Sequence, residues 1–163
     1  MELLIQILIG LVVAFAVYNL IHYLFVTRPS RRRTMLAQQV CNEAVRAAVH
    51  ALMTAKTLKP FDDNDLRSEQ IAEVWGRGVM AFEYHLPINN VSQSIPDFKQ
   101  ALVKALAEYG DDHHMHVHSG EVDRPAFVVT DIWQLDNRLH FDVAYLVNLT
   151  TVEYVDDLNR LSR

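Results

Sequence analysis

The sequence predicts an α+β protein: one N-terminal transmembrane helix, then a small cytoplasmic domain of about three helices and a two- to three-stranded antiparallel sheet. Three observations predict this fold class. A long uncharged apolar run opens the chain, apolar residues then recur at helical spacing, and the period changes to two after Gly110. We therefore divide the chain into a transmembrane anchor (1–27), a basic juxtamembrane linker (28–33) and a cytoplasmic α+β domain (34–163).

The first apolar run is long enough to cross a membrane. No Asp, Glu, Lys or Arg lies between Leu3 and Thr27. About 20 apolar residues in a helix span the hydrocarbon core of a bilayer. A secretory signal peptide has a basic first segment and a shorter apolar one, whereas here Glu2 follows the initial Met. We therefore expect a retained transmembrane helix.

The basic residues predict the orientation of this span. No Lys or Arg precedes the apolar run, and four arginines follow it directly: Arg28, Arg31, Arg32 and Arg33. Because translocation of such a cluster is disfavoured, we expect the C-terminal domain to be cytoplasmic. The same arginines are expected to contact anionic lipid head groups. The sequons at Asn90 and Asn148 are then chance matches, because only a lumenal domain would be glycosylated.

One stripe of the span predicts a helix–helix interface, because its residues recur every four positions: Gln6, Gly10, Ala14, Tyr18 and His22. Small residues four apart allow two helices to approach closely, and polar side chains can bond across the contact. The alternative is that Tyr18 and His22 extend to the membrane surface. The interface predicts a homo-oligomer or a partner transmembrane helix.

The composition excludes several classes of protein. Residues 34–163 hold 11 Lys and Arg against 19 Asp and Glu, so no basic face for nucleic acid is expected. The single cysteine, Cys41, excludes an intramolecular disulfide and a cysteine-based structural zinc site. Cys41 lies on the apolar side of a helical pattern, so we interpret it as a small buried hydrophobic residue.

Apolar periodicity predicts three helices in the domain. The first covers Thr34–Leu58, and Pro29 separates it from the span. Its core stripe is Cys41, Val45, Ala48, Leu52 and Ala55. The second begins after Pro60 with Asp62–Asp65 at its start, and its apolar face is Ile71, Trp75, Val79, Phe82 and Leu86. The third covers Ile95–Tyr109, with Ser94 as its N-cap and Gly110 in its C-terminal turn.

Alternating β-branched and aromatic residues predict a hairpin from Phe127–Leu135 and Leu139–Leu149. A two-residue turn places Asp131 opposite Asp142, which is a like-charge pair. A three-residue turn instead gathers one apolar face, pairing Trp133 with Phe141, Val129 with Tyr145 and Phe127 with Val147. We favour the three-residue turn for that reason. An edge strand at His113–His118 and a terminal helix at Val152–Leu161 complete the prediction.

Four of the eight histidines lie within residues 113–118. On an extended segment His114, His116 and His118 project from one face, and two such imidazoles can share a transition metal. Glu121, Asp123 or His140 would complete the site. The metal candidates are therefore His114, His116, His118 and Glu121. The alternatives are a solvent-exposed connector and a pH-responsive segment without metal.

The sequence therefore favours a single-pass membrane protein that acts as a non-enzymatic scaffold or accessory subunit of a membrane complex. No cofactor and no catalytic residue is expected in that case. Its partners would be the membrane, a partner transmembrane helix or a second copy of the chain, and a protein bound by the acidic domain. The alternative is a membrane-tethered metal-dependent enzyme, or a metal or pH sensor, that uses the histidines at 113–118.

Overall fold

The computed structural model describes residues 2–62, 66, 68–71, 78–119 and 122–161, without the side chains of residues 26–28, 118, 119, 122 and 123. The chain forms two compact units, residues 1–36 and 37–163. Mixed α-helix and antiparallel sheet make up the described part, as the sequence predicts.

The N-terminal unit is helical. Helix α1 covers Glu2–His22, a π-helical turn covers Tyr23–Thr27, and helix α2 covers Arg28–Thr54. The run that begins at Glu2 is long and apolar enough to cross a membrane, judged by length and composition. Helix α1 buries none of its residues within the protein. The helical run continues through Pro29, and the π-helical turn that directly precedes α2 lies where the proline removes a backbone hydrogen bond.

Helix α2 differs from the predicted helix at both ends. It begins six residues before Thr34 and ends at Thr54 rather than Leu58. Lys56 has a φ of 60°, which reverses the chain, and the amides of residues 57 and 58 turn back to the carbonyl of Leu52. The core stripe is confirmed for Cys41, Val45, Ala48 and Leu52, but Ala55 is exposed because it lies beyond the end of the helix.

Helix α3 covers Ile95–Asp112 and confirms the predicted start. The hydroxyl of Ser94 accepts a hydrogen bond of 3.3 Å from the amide of Asp97, which satisfies one donor of the first turn. The helix runs three residues past its predicted end. Gly110 is buried within it, and His114, with a φ of 54°, makes the turn that follows.

The predicted second helix is wrong over residues 81–87. Strand β1 covers Ser68–Gln70 and strand β2 covers Ala81–Pro87. Burial alternates along β2, where Phe82 and Leu86 are buried and the residues between them alternate in exposure. Their spacing of four suits both a helix and a strand face, which explains the error. Trp75, and three of the residues predicted at the helix start (63–65), lie outside the described residues.

Strands β5 (Phe127–Leu135) and β6 (Arg138–Tyr145) complete a four-stranded antiparallel sheet in the order β1-β2-β6-β5. The favoured hairpin register is wrong. The turn has two central residues, Asp136 and Asn137, with φ values of 45° and 61°. Such left-handed pairs match the twist of the strands, and Asp and Asn adopt them readily.

The two-residue turn places Asp131 opposite Asp142 and Trp133 opposite His140. The register shifts between Val129 and Asp131, which is a β-bulge. Because one extra residue lies in the bulge, Val129 and Ile132 share the core face although they are three residues apart. The protein therefore has the hairpin register that pairs the two aspartates, and not the three-residue-turn register that the sequence favoured.

Helices α2 and α3 cover one face of this sheet. Phe98 on α3 packs edge-on against Phe141 of β6, and Tyr84 of β2 stacks on the same ring. The core around them consists of fully or nearly fully buried side chains: Cys41, Val45, Val49, Phe82, Leu86, Leu102, Leu106, Leu139 and Val143. This layer fixes β2 and β6, so the side chains between the core positions point to the opposite face.

Helix α4 (Leu149–Leu161) packs on that opposite face. Its Val152 and Val155 contact Ala81, Ala144 and Leu146 in a second buried cluster. Strands β3 (His116–Ser119) and β4 (Val122–Pro125) form a separate two-stranded sheet. The predicted strand at 113–118 therefore pairs with β4 rather than with the hairpin, and the predicted terminal helix is confirmed with a start at Leu149.

Candidate functional site

Four acidic residues form one row across the four-stranded sheet, on the face away from α2 and α3. Glu69 on β1 lies opposite Glu83 on β2. Asp142 on β6 has two cross-strand partners, Glu83 on one side and Asp131 on the other. Directly opposite residues in a sheet have Cβ atoms about 4.5–5.5 Å apart. We call these four residues the acidic row.

A row of rings lies beside the acidic row, one pleat further along the strands. His85 lies opposite His140, and His140 lies opposite Trp133. The indole of Trp133 stacks on the imidazole of His140 with 5.4 Å between centroids and 18° between planes. The ring of His85 lies 5.6 Å from that of His140. Trp133 therefore presents one face to a histidine.

A hydrogen bond connects the two rows. Nδ1 of His140 lies 2.7 Å from Oε1 of Glu83, and the side chain of His140 is 15% exposed. This contact fixes the orientation of the imidazole. The pKa of the nearby His85 is lowered by burial and then by the charges of Arg138 and His140, which disfavours the protonated form of its ring.

Asp142 is the most perturbed carboxyl group in the described part of the chain. Partial burial, followed by the negative charges of Glu83 and Asp131, raises its pKa from the ordinary 3.8 to about 7. Its Oδ1 is buried and has no hydrogen-bond partner among the residues that the structure describes. A buried acceptor without a partner disfavours the ionised carboxylate, in line with the raised pKa of Asp142.

A groove of about 720 Å³ opens beside Asp142, between strand β5 and helix α4. The sheet contributes Asp131, Trp133 and Asp142 to its lining, and the helix contributes Tyr154 and apolar side chains that include Leu158 and Leu161. Lys99 of α3 adds one cation to the lining. Burial, followed by the charge of Asp142, raises the pKa of Tyr154. The groove therefore combines carboxylates, aromatic rings and an apolar wall, and we call it the β5–α4 groove.

The predicted histidine site is only partly described. His114 is exposed in the turn after α3, and His116 is exposed on β3 with its Nε2 3.8 Å from Oδ1 of Asp111. The side chain of His118 and all of Glu121 lie outside the described residues. Within that part of the chain, no three His, Cys, Asp or Glu side chains are arranged to hold a metal ion. The metal site stays a prediction.

The side chains that we expect to contact the membrane or a second helix are exposed where the structure describes them. The stripe of the span, Gln6, Gly10, Ala14, Tyr18 and His22, is exposed along α1. A Cβ atom added to Gly10 would meet nothing within 4 Å, and the rings of Tyr18 and His22 lie 6.1 Å apart. Arg31, Arg32 and Arg33 are also exposed, while the side chain of Arg28 is not described. The interface and the lipid contact stay predictions.

Cys41 is ruled out as a nucleophile. Its side chain is completely buried in the core, and burial raises the pKa of the thiol to about 12. The sequence analysis also interpreted Cys41 as a buried residue.

The sequence analysis did not identify Glu69, Glu83 and His85 as members of one surface, because it assigned their segment to a helix. The alternation of apolar and polar residues from Phe82 to Leu86 was the signal that would have placed them.

Comparison of the chain with known proteins found no matching family model, no matching curated protein and no matching solved structure. The geometry of the sheet face and the groove is therefore the basis for a function.

Proposed function

We propose that this protein is a single-pass membrane protein whose cytoplasmic domain is the non-enzymatic, partner-binding part of an accessory subunit or scaffold. The acidic row is the single observation that carries the proposal. Its four residues lie side by side across all four strands, on a face that α4 covers only in part. A sheet face of this kind is suited to binding.

The energetics of the acidic row support a binding role. Like charges directly opposite each other destabilise a sheet, so Asp142 with its two acidic partners costs folding free energy. Residues that reduce stability at one place in a fold commonly serve recognition there. A positively charged surface laid over the row would remove the repulsion, and the cost would become binding energy.

The N-terminal residues support the membrane location and the orientation. Helix α1 is long enough and apolar enough to cross the hydrocarbon core. The arginines at 28 and 31–33 follow the span directly, and such clusters stay on the cytoplasmic side. The anchor would hold the domain at the membrane surface, where its partners would be membrane proteins.

Cysteine labelling tests the orientation. A Glu108→Cys variant of the full chain places a thiol on the exposed surface of α3, while the buried Cys41 serves as the internal control. We expect a membrane-impermeant maleimide to label the variant in inside-out vesicles and not in right-side-out vesicles. Labelling in right-side-out vesicles would contradict the proposed orientation, and loss of the protein from carbonate-washed membranes would contradict the anchor.

Site-specific photocrosslinking in the native cell tests the binding surface. A photoreactive amino acid at Trp133 lies beside the acidic row, whereas the same group at Glu108 lies on α3 as the matched control. We expect a discrete adduct from position 133 alone, and we expect it to disappear when Glu69 and Asp131 are replaced with Gln and Asn. Equal adducts from both positions, or an adduct that ignores the acidic residues, would overturn the proposal.

A further inference from the structure

We propose that the β5–α4 groove binds an arginine side chain of a partner polypeptide, held between the indole of Trp133 and the carboxylates of Asp131 and Asp142. This inference rests on the proposed binding function and names the chemistry of the partner. It uses the groove as a shaped cavity, with its aromatic and apolar walls, and not the acidic row alone.

The charge of the groove calls for a cation that donates hydrogen bonds. Asp131 and Asp142 are cross-strand neighbours that both line the groove, where among the described lining residues they face a single cation, Lys99 of α3. Oδ1 of Asp131 accepts a 2.7 Å bond from the amide of Ile132, which orients this exposed carboxylate of the lining. A planar guanidinium has five donors and can bond both carboxylates at once.

The aromatic wall favours arginine over a compact cation. Trp133 stacks on His140 through one face of the indole, and its ring lines the groove. A guanidinium stacks flat on an aromatic ring, whereas an ammonium is a strongly hydrated point charge. The geometry therefore selects arginine before lysine.

The apolar wall suits the methylenes of the same side chain. Helix α4 lines the groove with Leu158 and Leu161, and the edge strand adds Val128. An arginine buries its aliphatic stem along such surfaces while its head group makes the polar contacts. A bare metal ion would leave this wall unused, and no three potential ligands converge on a metal within the described residues. An anion is less favoured than a cation, because two carboxylates stand against the one ammonium of Lys99 in the described lining.

Binding of arginine is expected to depend on pH. The groups that face Asp142 are Glu83 from β2, Asp131 from β5 and Tyr154 from α4, with His140 two residues before it on β6. Lys99 from α3 lines the same groove. The carboxyl of Asp142 titrates near pH 7, and only its ionised form pairs with a guanidinium. The affinity should therefore rise between pH 6 and pH 8.

The test uses full-length protein in detergent micelles and a short acetylated, amidated peptide with a single arginine among glycines and serines. The indole N–H resonance of Trp133, assigned with a Trp133→Leu variant, reports binding. Three matched peptides carry citrulline, lysine or alanine in place of the arginine. Citrulline has the shape of arginine without the charge, so it isolates the electrostatic contribution.

We expect the arginine peptide to shift the indole N–H resonance of Trp133 in a saturable way. The dissociation constant of the citrulline peptide should be at least tenfold higher, and that of the lysine peptide should lie between the two. Asp142→Asn and Asp131→Asn should each weaken binding at least tenfold, and Glu108→Gln on α3 should leave it unchanged. Equal binding of arginine and citrulline peptides, or binding that survives both substitutions, would overturn the inference.

Two further outcomes separate this inference from the proposed function. If the photocrosslinked adduct at position 133 forms in cells and the arginine peptide does not bind, the arginine site is wrong and the binding function stands. If neither occurs, both are wrong. A third outcome concerns dimers. If the parent protein forms a dimer that the arginine peptide dissociates, and an Arg31→Gln/Arg32→Gln/Arg33→Gln variant forms no dimer, the occupant is a second copy. That result would overturn the assignment to a partner polypeptide.

Discussion

Asp131 lies directly opposite Asp142 across the β5–β6 hairpin, in a sheet that pairs Asp142 with Glu83 on its other side. Three carboxyl groups thus occupy adjacent positions on three strands. This relationship follows from one local feature, the two-residue turn at Asp136 and Asn137. A turn one residue longer would have placed Asp131 and Asp142 out of register.

The charge of Asp142 makes the stability of the protein depend on pH. Its pKa is about 7 in the folded protein against an ordinary 3.8, so between these values the folded state holds a proton that the unfolded state has lost. The free energy of unfolding must therefore fall as pH rises from about 4 to about 7. An Asp142→Asn variant, which is neutral at every pH, should lose this slope in urea denaturation of the full-length protein.

The control for this measurement is Asp112→Asn, an exposed carboxylate at the end of α3. It should keep the slope of the parent protein. If Asp142→Asn and the parent show the same pH dependence, the proton is not held by Asp142 and the assigned perturbation is wrong.

Local signals in the sequence predicted the helices better than the strands. Ser94 followed by Asp97 gave the start of α3 because a cap depends on residues that are neighbours in the chain. Residues 81–87 were misassigned because Phe82 and Leu86 are four apart, which suits a helix. Their burial is decided by pairing with Val143 and Leu139 of β6, which lie 61 and 53 residues further along the chain.

The hairpin turn provides a second prediction. Both central residues are left-handed, and at the second of them glycine is favoured because it has no Cβ. We expect Asn137→Gly to stabilise the protein by about 0.5–1 kcal/mol and Asn137→Val to destabilise it by about 1–2 kcal/mol. Thermal and urea unfolding measure both. Equal stability of the two variants would mean that the turn has another conformation.

Asn148 provides a third prediction, because its side chain connects the start of α4 to the segment that precedes β2. Its Oδ1 accepts hydrogen bonds from the amide and the hydroxyl of Thr151, and its Nδ2 donates to the carbonyl of Gly78 at 2.9 Å. Asn148→Ala removes all three bonds and should cost about 1–3 kcal/mol. Ser94→Ala removes two exposed bonds, the one from the amide of Asp97 and the one that the hydroxyl donates to the Asp97 carboxylate, and should cost about 1 kcal/mol. A larger loss for Ser94→Ala than for Asn148→Ala in urea unfolding would contradict this account.

The candidate site could be predicted only in part. The pairing of Asp131 with Asp142 was one of two registers that the sequence allowed, and the like charges counted against it although they belong to the site. Glu83 joins them only through the β2–β6 pairing, which no local pattern specifies. Helix α4 was expected, but the groove that it forms with β5 depends on packing between distant segments.

The buried thiol provides a fourth prediction. Cys41 is inaccessible in the core, and burial raises its pKa to about 12, so almost no thiolate forms at pH 8. We expect a chromogenic disulfide reagent to leave the folded protein unmodified for hours and to react within minutes in urea. The Glu108→Cys variant is the positive control, since its thiol is exposed in the folded protein. Rapid reaction of the parent protein under native conditions would show that α2 opens.

The stripe of the span provides the last prediction. Gly10 and Ala14 are exposed on α1, and a Cβ atom at Gly10 would meet nothing within 4 Å in the chain itself. If a second span packs there, Gly10→Leu forces the two backbones apart and should weaken self-association in detergent by about tenfold. Ala16→Leu is the matched control, since at 100° per residue it lies on nearly the opposite side of α1 from Ala14. Equal effects of Gly10→Leu and Ala16→Leu in sedimentation experiments would mean that the stripe is not an interface, because a specific contact must distinguish the two faces of one helix.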